Sequence, residues 1–113
     1  MATKFTGDEG EYIVAIEASK RQNRFLEKEK KNGKENPVRA QFYGKKMIEE
    51  MLSRKGAMGI RIYFGENEDG NPNLVLVPAD AKGKNLVKDT TGLKDMPDHA
   101  DYGSNGPECP QHC

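Results

Sequence analysis

The chain is poor in the residue types that most chemistry needs. Tryptophan is absent, and histidine and cysteine occur twice each, as His99, His112, Cys109 and Cys113. All four lie near the end of the sequence. A catalytic imidazole needs a rigid partner to hold it, and the neighbouring residues offer no such frame. No apolar run approaches the length of a membrane span. Met1 to Gly10 carries no apolar stretch after Lys4, so no secretion signal is expected and the cytoplasm is the expected location. Excess charge is lacking too, since 18 Lys and Arg balance 18 Asp and Glu. That argues against binding driven by overall charge. A glycine-rich phosphate loop is also missing, because Gly56-Ala57-Met58-Gly59 is not followed by the lysine and helix such a loop needs.

What is present fits one small domain. Of 113 residues, 35% are hydrophobic and 32% charged, and the hydrophobic ones gather between Tyr12 and Ala81. The expected organisation is a compact α+β domain over residues 1–81 and an irregular tail over 82–113. A core drawn from about eighty residues is marginal for an isolated monomer, so self-association into a homo-oligomer is a reasonable expectation. Charge is uneven within the neutral total. Residues 1–56 hold thirteen Lys and Arg against nine Asp and Glu, and residues 57–113 hold five against nine.

Four elements are expected. Thr6-Gly7-Asp8-Glu9 has the form of a capping box, which places a helix start at Thr6. Tyr12, Ile16, Ser19, Asn23 and Leu26 then recur at spacings of four and three, with Ile13 and Ala15 widening the stripe. Glu27 to Lys31 is entirely charged and precedes the turn pair Asn32-Gly33, so the helix is expected to fray there. Glu17 with Arg21, and Glu27 with Lys31, have the i, i+4 spacing that supports a helix. A second helix is expected from Asn36 as N-cap and Pro37 at the first position, with Ala40, Tyr43, Met47, Ile48, Met51 and Leu52 on one face and Gly56 as the stop. Gly44 falls inside it. Gly59 to Phe64 then alternates, with Ile60, Ile62 and Phe64 on one face. Leu74-Val75-Leu76-Val77 is apolar on both faces, as in a covered strand. Glu66 to Asn73, with Gly70 and Pro72, reads as the loop of a hairpin, and Pro78 as a strand end or edge position. Little regular structure is expected beyond Met96.

Each feature that could carry chemistry has a plain rival. Cys109-Pro110-Gln111-His112-Cys113 offers three zinc ligands in Cys109, His112 and Cys113, with His99 or an aspartate as a fourth. The same residues could form a disulfide in an oxidising setting, or a tail with no specific role. Asn67-Glu68-Asp69-Gly70-Asn71 suggests calcium, but an EF-hand loop would need acids where Gly65 and Leu76 stand, so a charged hairpin turn fits better. Glu49 and Glu50 are adjacent on a helix and point to different sides. Lys20, Arg21, Arg24, Lys28, Lys45 and Lys46 could form a weak nucleic-acid surface or simply a solvated face. Arg61 and Tyr63 share one face of a strand, as either an interaction surface or a half-buried cross-strand pair. Support for an enzyme is thin.

Gly59-Ile60-Arg61-Ile62-Tyr63-Phe64-Gly65, Asp69-Gly70, Leu74-Val75-Leu76-Val77 with Asp80 and Gly83, and the terminal Cys109-Pro110 to Cys113 resemble a family of small bacterial proteins. The resemblance runs from Phe42 onward. It implies a shared fold and no activity, cofactor or site residue. The expected function is a non-enzymatic oligomerising or partner-binding module. The alternatives are a metal-binding or thiol-redox protein acting through the terminal cysteines, and weak nucleic-acid binding by the basic half.

Overall fold

A computed structural model describes residues 4–87 and 101–113. Among these residues the elements are helix α1 (Ala15–Lys31), strand β1 (Ala40–Gln41), helix α2 (Lys45–Leu52), and strands β2 (Gly59–Tyr63), β3 (Val75–Ala79) and β4 (Glu108–Cys109). Two small antiparallel sheets result, β2 with β3 and β1 with β4, and the class is α+β.

The hairpin follows the sequence closely. Gly59 pairs with Ala79, Arg61 with Val77 and Tyr63 with Val75. In the connecting loop the Asn67 side chain accepts hydrogen bonds from the backbone N–H groups of Asp69 and Asn71, both at 3.0 Å, and Gly70 takes φ +79°. An asparagine that satisfies its own turn, followed by a glycine free to adopt positive φ, accounts for the reversal without a metal. The apolar strand is covered as expected. Leu76, Val77, Pro78 and Ala79 are all buried, Val77 and Pro78 completely. Pro78 belongs to the edge-facing set of β3. Its carbonyl accepts from Leu86 N–H at 2.8 Å, on the side away from β2, so its missing donor costs the hairpin nothing.

The two helices depart from expectation. α1 begins at Ala15, nine residues after Thr6. The Thr6–Glu9 contact does form: the Glu9 carboxylate accepts from the N–H groups of Thr6 (2.7 Å) and Gly7 (2.9 Å). It closes a turn rather than opening a helix, because Gly7 and Gly10 both sit at positive φ, near +92° and +96°. Phe5 N–H then donates to Ala81 O at 2.7 Å, tying the chain start beside the end of β3. At its other end α1 runs through Glu27–Lys31 without fraying. Glu and Lys are good helix formers, so losing the apolar stripe does not end the helix. It stops at Asn32, where Gly33 at φ +91° supplies the left-handed residue. The apolar stripe is not buried, since α1 contains no fully buried residue and, among the described residues, no other helix or strand packs on it.

α2 is half its expected length. Pro37 and Val38 are buried, but in extended chain, and Gly44 is the N-cap instead of an interior residue. The backbone of residues 39–42 bonds to the chain's far end: Arg39 N–H to Cys109 O (3.2 Å), Phe42 N–H to Pro107 O (2.8 Å), and Ala40 and Gln41 paired with Cys109 and Glu108. Residues 101–113, assigned from the sequence to an irregular tail, are thus held to the body. Leu76 and Gly103 exchange two backbone hydrogen bonds of 2.8 Å, and Asp101, 5% exposed, meets Arg54 at 3.1 Å. Gln41 joins three segments. Its Oε1 accepts from Leu74 N–H at 2.7 Å, and its Nε2 donates to Asn73 Oδ1 (2.8 Å) and Gly106 O (3.2 Å). Among the described residues the buried apolar set is Val38, Met51, Leu76, Val77 and Ala79, from the segment before β1, from α2 and from β3.

Candidate functional site

Three places deserve comparison, beginning with the terminal cysteines. β4 seats Cys109 against Ala40, and a turn closed by His112 N–H on Glu108 O (2.7 Å) brings Cys113 back to it. The two sulfurs are bonded to each other as a disulfide. In this form neither is a thiolate, so a zinc site built on Cys109, His112 and Cys113 requires reduction first. His112 is exposed, and His99 lies outside the described residues. Among the described residues no group of three His, Cys, Asp or Glu side chains is arranged to hold a metal ion, and no helix is long and apolar enough to cross a membrane.

Arg61 and Tyr63 are brought together, but through a third residue. Arg61 Nη1 donates to Gly83 O (2.7 Å) and Asn85 Oδ1 (2.6 Å), and Asn85 Nδ2 donates to Tyr63 Oη (2.9 Å). Their polar groups are engaged in holding the loop after β3 onto the hairpin. The same loop is ordered by Asp80, whose carboxylate accepts from the N–H groups of Lys84 and Lys82, each at 2.9 Å. Those donors, Lys84 foremost, hold the Asp80 carboxyl below its ordinary value, and the Thr6 N–H does the same for Glu9. Both carboxylates are solvent-exposed and serve as turn anchors.

The third place lies beside α1. Phe25 and Glu29 face Val38, Phe64, Pro72 and Leu74 across an open cavity of about 450 Å³ with a mostly apolar wall. Lys34 closes one side, meeting Glu29 at 3.3 Å and donating to Gly70 O at 2.9 Å. Phe64 at its mouth is 95% exposed. Just ahead of the helix the chain presents Tyr12, Ile13, Val14 and Ile16, with Tyr12 and Ile16 at 106% and 68% exposure. Four apolar residues in five, left in water, are unusual for a soluble surface unless something covers them. The basic residues Lys20, Arg21, Arg24 and Lys28 are exposed on α1, with Arg21 paired to Glu17 at 3.1 Å, whereas Lys45 and Lys46 lie on α2.

The sequence pattern put Tyr12 and Ile16 on the apolar stripe of the first helix and did not single out the cavity. One signal was available. Tyr12-Ile13-Val14-Ala15-Ile16 is a consecutive run, and a run cannot sit on one face of a helix. No protein-family model, curated protein or solved structure matches the chain.

Proposed function

We propose that this chain is a non-enzymatic binding module, with α1 and the residues just before it as the element that engages a partner. The observation that carries this reading is the exposure of Tyr12, Ile13 and Val14 just ahead of α1 and of Ile16 on it, a helix with no fully buried residue among those described. An isolated helix of this length is marginal in water, and most helical stability in proteins comes from packing an apolar face. Among the described residues no other helix or strand gives α1 that packing, so a partner supplies it. The apolar cavity beside Phe25 adds a place for a partner's side chains, within the size range of sites that bind small or extended ligands.

The test is the stability of an Ile13→Asp, Ile16→Asp variant. If these residues are contact residues, thermal unfolding of the monomer shifts by no more than an ordinary surface change, within about 0.5 kcal/mol. If they are core, a buried charge costs several kcal/mol and the fold is lost. The second result would remove the observation on which the reading stands.

The bonded cysteines favour a second reading, thiol–disulfide exchange at the tail. A dithiol would reduce the Cys109–Cys113 bond to two thiols and leave as a disulfide itself, and the reduced motif could then take zinc. Removing residues 108–113 is a poor test, because it also removes the strand that pairs with β1. Cys109→Ser, Cys113→Ser keeps that strand. Loss of dithiol consumption in this variant supports the reading, and unchanged consumption ends it.

A further inference from the structure

The disulfide joins two cysteines that the fold treats differently. Cys109 belongs to β4: it pairs with Ala40, its carbonyl accepts the Arg39 N–H at 3.2 Å, and it is half-buried, as is Pro110. Cys113 lies past the turn that the His112 N–H closes on Glu108 O. No backbone hydrogen bond among the described residues holds it, and it is exposed together with Gln111 and His112. The two Cα atoms are 4.9 Å apart, at a sequence separation of 4.

Resting on the reading of this bond as an exchangeable one, we infer that Cys113 is the sulfur an incoming thiolate attacks, that Cys109 is the one released, and that the substrate class is the dithiol. An attacker must reach the sulfur to which it will bond, so access decides between the two. The external thiolate bonds to Cys113 Sγ and the bond to Cys109 breaks. Its electron pair leaves on Cys109 Sγ, which takes up a proton from water. The adduct hangs from the exposed residue, so the pairing of β4 with β1 stays closed. Cys109 remains a near neighbour, at an effective concentration on the order of millimolar or above for so short a link. A monothiol is therefore expelled again when Cys109 attacks Cys113 Sγ. A dithiol escapes this return. Its second thiolate attacks its own bonded sulfur, leaves as a disulfide and frees Cys113, so one dithiol is oxidised for each protein disulfide reduced.

The test exposes the oxidised full chain to limiting glutathione and quenches it in acid, which removes the thiolate and freezes exchange. Peptide mass mapping then locates the adduct. The expected result is a small population carrying glutathione on Cys113 with the bond otherwise intact, whereas dithiothreitol at equal thiol concentration opens it fully. An adduct on Cys109, or an even split, overturns the assignment and leaves the exchange reading in place. Full opening by glutathione overturns the preference for dithiols. Where no adduct accumulates, single variants decide. The Cys113 thiol of Cys109→Ser should react with an aromatic disulfide several times faster than the Cys109 thiol of Cys113→Ser, and equal or reversed rates sink the inference. Dithiothreitol left unconsumed by the full chain ends the exchange reading itself, and this inference with it.

Discussion

Helix α1 and strand β3 both carry apolar residues, yet they end in opposite environments. β3 has Leu76, Val77, Pro78 and Ala79 buried, with β2 on one side and the backbone of Gly103 and Leu86 on the other. α1 and the residues before it leave Tyr12, Val14 and Ile16 more than half exposed. Apolar content alone does not decide burial. β3 is held because hydrogen bonds on both edges fix it where other elements can pack on its faces. α1 satisfies its own backbone, so no main-chain demand draws the body onto its apolar residues. A helix can form on propensity and ion pairs while its apolar residues wait for another surface.

That comparison can be sharpened by substitution. Leu76→Ala, at a site 4% exposed, should cost about 2–5 kcal/mol in denaturant unfolding. A loss below 1 kcal/mol would mean that the hairpin is not the stable half. Next in size is Gly106→Ala, where a Cβ would meet the Phe42 carbonyl oxygen and, at 3.0 Å, the Tyr43 ring. Backbone cannot yield as a side chain can, so about 1–3 kcal/mol should be lost. Amide exchange at Arg39 and Phe42 should rise, because the donors there lose their carbonyl partners. Unchanged exchange would show that the chain end is not what holds this segment.

Arg54→Ala removes one partner of a buried carboxylate and should cost roughly 1–3 kcal/mol, less than a fully buried pair because Arg54 is 30% exposed. Ile16→Ala, by contrast, should change monomer stability by no more than about 0.5 kcal/mol. If it cost as much as Leu76→Ala, the contrast between the two regions would disappear.

The smallest effect expected is with pH. The folded-state values of Glu9 and Asp80 lie below their ordinary values of 4.5 and 3.8. Their contribution is therefore complete above those values and lost as pH falls through the lower folded values. Carboxyl chemical shifts followed by NMR should give midpoints below the ordinary ones. Glu9→Gln should remove the acid sensitivity of the Thr6 turn and leave that of the Asp80 turn.

The hairpin was legible because its information is local. The alternation from Gly59 to Phe64, the turn residues Asn67 and Gly70, and the doubly apolar Leu74–Val77 lie within twenty residues, and each specifies the same pairing. The turn at Asn32-Gly33 was legible for the same reason, although the helix runs up to it without the expected fraying. The start of α1 was not, since Thr6 and Glu9 make the contact of a helix cap without a helix, and two glycines at positive φ decide between the outcomes. The segment from Pro37 to Gly44 was misread because Ala40, Tyr43 and Met47 have helical spacing, whereas the competing bonds come from Pro107 and Cys109. Of the candidate site residues, Arg61 and Tyr63 proved to be near neighbours, but Asn85 between them left no mark in the sequence. The cavity that Phe25 and Pro72 line left none either.

By itself, then, the sequence determined the α+β class, the hairpin with its turn, and the residue that stops the first helix, because neighbouring side chains and backbone preferences are enough for these. Only the tertiary structure decided that the chain end pairs with residues 39–42, that the second helix is short, and that the first helix keeps its apolar residues on the outside. Those outcomes rest on backbone groups meeting across some seventy residues, and a backbone N–H or carbonyl carries no side-chain signature of its distant partner.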